Sequence, residues 1–250
     1  MKKEAIKIEK VINKWFVELG SNLKNIKGDP EIVSYIRSGF MLFNRYNSAS
    51  LFLIGNGYKL PASALLRIQS ELCIKMLWCF HGTTNYQEVK GNFNRWAKSS
   101  ANKSIKLCKD FLESNKITNK SKEWFRDQIE RLEKELKDIP EITKEMPHIT
   151  GKGKLFDQVS DVFDDNVVAP MYSQFSSAVH IDTSVLSQSI ERKGDSLIYK
   201  GDLDYKLEDL IYHCLSLAWM FVKIWYTFYK LDCSQIDKEY FSLVPKAGGN

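Results

Sequence analysis

Apolar side chains recur along this chain at helical intervals. Ile8, Val11, Ile12, Trp15, Phe16 and Leu19 form one stripe, which predicts a first helix over 3–19 with Gly20 as its stop. Asp29-Pro30 supplies an N-cap and a residue preset for the first turn. Ile32, Ile36, Phe40, Phe43 and Leu51 then line a second helix that ends at Gly55-Asn56-Gly57. Pro61 opens a third, which runs to about His81 and stops at Gly82. It is apolar nearly all round, through Leu65, Leu66, Ile68, Leu72, Ile74 and Met76 and on to Phe80, so it belongs at the centre of the fold. A fourth helix over 86–114 carries Val89, Phe93, Trp96, Leu107 and Phe111 on one side. In the fifth, from about Ser121, apolar positions 125, 129, 132, 136 and 139 alternate by four and three, as in a coiled-coil seam. These two helices predict a long hairpin.

Beyond Pro140 the pattern weakens. Residues 140–153 hold two Pro and two Gly and predict a flexible surface loop, the one candidate boundary. Short helices follow near 154–165 and 170–180. The mixed runs around Gly194-Asp195 allow a small β-hairpin near 190–199. An apolar helix over 205–231 and a short one near 234–243 close the chain, with 245–250 a frayed tail. The fold expected is all-α: one domain over 1–250, an up-down bundle with a long protruding helical hairpin.

Composition narrows the class. Hydrophobic residues make up 44% and aromatic residues 12%, so disorder is excluded for most of the chain. With 13 Gly and 6 Pro, collagen-like and low-complexity classes are excluded too. Leu210–Tyr229 is the most apolar stretch, but His213, Ser216 and Lys223 interrupt it, so it reads as a buried helix and no membrane span is expected. Charges break any apolar core in MKKEAIKIEK, so no signal peptide is expected. The five Cys are odd in number and form no Cys-x-x-Cys pair, which fits reduced thiols in the cytoplasm.

The net charge of +5 conceals an asymmetry: residues 1–139 carry 25 basic and 15 acidic side chains, and the remainder 11 and 16. The excess peaks over 90–122. At 100° per residue, Arg95, Lys98, Lys106 and Lys109 fall opposite the apolar side of their helix. Such a face is either solvated surface or a binding surface for a polyanion.

Two clusters could carry chemistry. Arg67 and Glu71 stand at i, i+4 on the most apolar helix, on the side of Ile74 and Trp78. Burying two ions costs several kcal/mol each unless they are paired. The cluster is therefore a structural ion pair or a site that needs a fixed guanidinium. Tyr172, Ser176 and His180, at i, i+4, i+8, share one helix face with one titratable member. They form either a polar seam or an acid/base site in which Tyr172 and Ser176 position a phosphate or ribose. Buried charges need hydrogen-bond partners, so Arg67 and Glu71 are expected to pack against this face. Gly151-Lys152-Gly153-Lys154 lacks P-loop spacing, and His148, His180 and His213 lack metal-ligand spacing. No metal or cofactor is expected.

The Arg67-x-x-x-Glu71 helix, the long hairpin and the later Tyr172-x-x-x-Ser176-x-x-x-His180 helix resemble, over roughly 40–210, an uncharacterised bacterial helical family similar to HEPN domains. These are all-α modules directed at RNA or nucleotides in toxin and antiphage systems. The chain departs from their ribonuclease motif, since no Arg is followed by His after four to six intervening residues. The resemblance implies a metal-independent ribonuclease or nucleotide-binding effector in which Arg67, Glu71 and His180 are assembled from separate helices and the basic face holds RNA. Its partners would be RNA or a nucleotide, a protein of a defence system, and a second copy of the chain. The competing reading is a non-catalytic helical module that dimerises or docks to a partner protein.

Overall fold

Residues 2–24, 29–114, 117–140, 146–147, 190–193, 196–199 and 206–244 are described by a computed structural model of the chain. Helix α1 spans Lys2–Lys24 and runs through Gly20. A glycine inside a helix costs up to about 1 kcal/mol. Tertiary anchoring overrides that here: Leu19 is fully buried, and Asn22 Nδ2 donates to the Tyr226 hydroxyl at 3.3 Å. Helix α2, Pro30–Gly55, starts where Asp29 predicts, with the Asp29 carboxylate accepting from the Glu31 amide at 2.9 Å and from the Ile32 amide at 3.4 Å. It ends through Asn56 and Gly57, whose φ of 86° suits glycine. Helix α3, Lys59–Phe80, begins two residues ahead of Pro61. The proline still lies in the first turn, where its missing N–H has no intrahelical partner to lose. Helices α4 (Tyr86–Leu112), α5 (Asn119–Lys137), α6 (Leu207–Phe228) and α7 (Ser234–Leu243) complete the helical set of the described residues.

The core lies where α3 meets α2 and α6, with α1 closing against α2 and α6. Twelve of the 22 residues of α3 and 13 of the 22 of α6 are buried, because neither helix has a polar face wide enough for water. Leu72 is only half-buried, whereas Met76, Leu215 and Phe221 are sealed. Phe43 of α2 stacks on Phe221 of α6 at 4.2 Å, and Phe80 of α3 meets Trp225 and Phe228 edge-on at 4.8 and 4.7 Å. Gly39 lets α2 approach α3 closely: a Cβ there would lie 2.6 Å from Met76 Cε. Among the described residues no helix is long and apolar enough to cross a membrane.

The first turns of α4 are pinned to this body, where Phe93 stacks on Tyr35 at 4.8 Å and meets Phe80 at 5.6 Å. Further along, α4 carries α5 away as a hairpin. Ala101, Ile105 and Cys108 are buried there, but no residue of α5 is. Leu107 and Phe111, expected on the apolar side of α4, are 55% and 42% exposed. They share a side with Val89 and Phe93 but lie beyond the body that covers those two. Phe111 instead stacks on Phe125 of α5 at 5.1 Å.

The segment after α5 is not wholly a surface loop, since Met146 is buried in the core. The small hairpin forms as an antiparallel pair, β1 (Ile190–Lys193) with β2 (Ser196–Tyr199), Ile190 opposite Tyr199 and Lys193 opposite Ser196. The helices expected near 154–165 and 170–180 and the tail 245–250 lie outside the described residues. Helix α7 ties the two ends of the chain together. Glu239 takes a hydrogen bond from Trp15 Nε1 at 2.8 Å and an ion pair from Lys14. Asp237 accepts from Trp219 Nε1 at 2.8 Å and pairs with Lys223.

Candidate functional site

Polar side chains interrupt the apolar surface of α3 halfway along its length. Arg67 is half-buried and engaged. Among the described residues, the ion pair of Glu71 is with Lys75, one turn further on. The Lys75 ammonium also sits 5.6 Å from the centre of the Trp96 ring. Glu71, Lys75 and Trp96 therefore brace α3 against α4, which gives Glu71 a partner other than the arginine one turn before it. Between the two charges, Ser70 donates to the Leu66 carbonyl at 2.8 Å, and Gln69 is fully buried with neither amide atom hydrogen-bonded. Asn44 Oδ1, Asn47 Oδ1 and Ser50 Oγ of α2 are likewise buried and unbonded. The antiparallel register set by Gly39 and Met76 puts Asn47 about level with Gln69 and Asn44 about level with Glu71. Each unsatisfied buried polar atom costs about 1–3 kcal/mol. A group of them in one layer of the α2–α3 interface is more than packing requires.

Tyr172, Ser176 and His180, and with them the expected contact to Arg67 and Glu71, lie outside the described residues. On α4 the four basic residues divide into two pairs. Arg95 is half-buried: Nη1 donates to Asn92 Oδ1 at 3.3 Å, and Nε is buried without a hydrogen-bond partner. Lys98 is half-buried and engaged, and its neighbour Ser99 is buried. That end of the basic face is covered. Lys106 and Lys109 are exposed at the far end, and Lys109 pairs with Glu133 of α5 at 3.6 Å.

Asn44, Asn47 and Gln69 were not singled out by sequence pattern. Their signal is faint, an amide letter inside an apolar window, and it resembles an ordinary exposed turn of helix. His213 is half-buried on α6 rather than sealed in the core: burial depresses its pKa to about 4, against a small opposing pull from Asp209, so it is neutral at pH 7. Among the described residues, no group of three His, Cys, Asp or Glu side chains could hold a metal ion.

These features define an all-α helical bundle with a polar layer in its central hairpin. The chain belongs to a family of unknown function, DUF5677, whose pattern matches residues 34–197. That span runs from α2 into β2, so α1, α6 and α7, which complete the core, fall outside it. No curated protein matches the chain, and no solved structure does.

Proposed function

We propose that this protein is a HEPN-like helical effector that acts on RNA or a nucleotide in antiphage defence, in the reducing cytosol. The observation that carries the reading is Arg67, held midway along the central helix. The guanidinium is half-buried and engaged, and the same helix carries Gln69, fully buried with neither amide atom hydrogen-bonded. Guanidinium and amide groups are what a phosphate and a base edge or ribose would engage. The step is metal-independent transesterification. The ribose 2′-oxygen attacks phosphorus, its proton passes to His180, and the bond to the 5′-oxygen breaks as that oxygen takes a proton from water. Arg67 neutralises charge developing on the phosphorane, with Tyr172 and Ser176 holding ribose or phosphate. Glu71, ion-paired with Lys75 on the same helix, orients Arg67 or His180. Lys106 and Lys109, with Arg95 and Lys98 nearer the body, carry the RNA backbone.

A second reading rests on the hairpin: α5 has no buried residue, and Trp124 is 55% exposed beside Phe125, which stacks on Phe111. An unburied aromatic surface of this kind fits a non-catalytic module that dimerises or binds a partner of a defence system. One experiment separates the two. The chain is expressed from an inducible promoter, and cellular RNA is displayed over time for wild type, Arg67→Ala and His180→Ala. Cleavage by wild type that either substitution removes, with both variants still folded, is the expected result. Intact RNA throughout, together with a dimeric mass that Trp124→Glu reduces to monomer, would replace the first reading with the second.

A further inference from the structure

The turn from His81 to Asn85 separates two adjoining cavities. The first, about 460 Å³, opens between the end of α3 and α6. Its body is made by Leu77, Phe80, Trp219, Met220, Ile224 and Phe228, with the exposed Thr84 and Thr227 also in its lining. The second, about 540 Å³, lies on the α4 side and is polar, with Gln87, Asn92, Arg95 and the exposed Glu88 in its wall. His81, Gly82 and Thr83 belong to both walls. Gly82 has a φ of 69°, and a Cβ at that position would meet nothing within 4 Å, so the ridge between the cavities is low. Asn92 Nδ2 donates to the Cys79 carbonyl at 3.2 Å and fixes α4 against the last turn of α3. The two cavities therefore adjoin across the His81–Thr83 turn as one bent cleft, with α4 tied to the end of α3 beside it.

Their charges differ. Lys223 faces the first cavity, but Asp237 pairs with it at 3.2 Å and its ammonium lies 4.7 Å over the Trp219 ring. That volume is apolar and electrically neutral, of the size small-molecule sites show. In the second cavity, no carboxylate among the described residues pairs with Arg95; its hydrogen bond there is to neutral Asn92, and its buried Nε has none. A half-buried guanidinium whose Nε has no hydrogen-bond partner, and which Glu88 in the same wall leaves unpaired, favours an anion.

We propose that this cleft binds an amphipathic monoanion. Its apolar body packs against Phe80, Trp219 and Phe228, and its carboxylate or phosphate head crosses Gly82 to Arg95, beside Thr83 and His81. The assignment goes beyond the RNA reading, because it needs neither base nor ribose and leaves Arg67 untouched.

Calorimetric titration of the full chain with octanoate, octyl phosphate and 1-octanol tests it. At least one anion should bind about tenfold or more tightly than the alcohol, and the tighter of the two identifies the head group. Thr227→Trp fills the cavity from an exposed position and should weaken every probe about tenfold or more. Thr84→Trp, on the turn, is a second filler should the first not fold. Arg95→Gln should remove the preference for anions while leaving 1-octanol unchanged. Equal affinity for anions and alcohol, anion binding that survives both fillers, or no binding of any probe at millimolar concentration would overturn the assignment.

Discussion

At the scale of single residues, two positions have consequences that can be measured. Gly39 faces Met76, itself buried, and an added methyl would need Met76 Cε to move. Overpacking costs about 1–3 kcal/mol, and the helical gain of alanine over glycine returns about 1. Gly39→Ala should therefore lower stability by about 1 kcal/mol in urea unfolding. In a Met76→Ala background, where the clash is gone, the same substitution should raise stability. A loss of equal size in both backgrounds would show that Met76 is not the obstacle. His213 gives a pH dependence. Its folded pKa of about 4 lies below the unfolded value near 6.5, so the unfolded chain binds the proton more tightly. The stabilisation is complete above pH 6.5 and is lost as pH falls toward 4, by about 2 kcal/mol between pH 7 and 5. Glu239, whose carboxyl is held below its usual range chiefly by the Lys14 ammonium, loses its contribution at lower pH still. Urea midpoints for wild type and His213→Asn from pH 7 to 5 test this: the variant's slope should be close to flat.

At the scale of elements, capping signals and apolar stripes predict the helices where a local cause suffices. Asp29-Pro30 opens α2, the glycine pair closes it, and Ser234–Leu243 is the last short helix. Gly20 misled, because the contact that carries α1 past it comes from Tyr226, about two hundred positions away. Leu107 and Phe111 misled for a related reason: periodicity tells which side of a helix is apolar, not how far its neighbours extend along it. The two helices with side-chain caps on either side of this contrast should respond differently. Asp29→Ala removes a cap from a helix that supplies core, and should lower global stability by about 1 kcal/mol. Thr118 accepts from the Ser121 amide at the start of α5, a helix with nothing buried. Thr118→Ala should leave the unfolding midpoint almost unchanged while speeding amide exchange along α5. An equal shift of the midpoint in both variants would mean that the hairpin unfolds together with the body.

At the scale of the whole molecule, the bundle, its central helix, the projecting hairpin and the small β-hairpin were legible from the sequence. The polar layer was only half legible: Arg67 and Glu71 stand out because charge in an apolar run is rare, but Gln69, Asn44 and Asn47 are neutral, and only burial distinguishes them from surface amides. The cleft at the α3–α4 turn could not be foreseen at all, because its walls come from α3, α4 and α6 and meet only in the finished fold. The bond from Trp15 to Glu239 has a bearing on how the chain is made. Those partners are 224 positions apart, so at a synthesis rate of 5–20 residues per second the indole waits roughly 10–45 s for its carboxylate to leave the ribosome. For most of that interval the α1 stripe of Ile8, Ile12, Trp15, Phe16 and Leu19 lacks the α6 surface it will share, and a nascent-chain chaperone that prefers aromatic and aliphatic segments would find a binding site in that stripe.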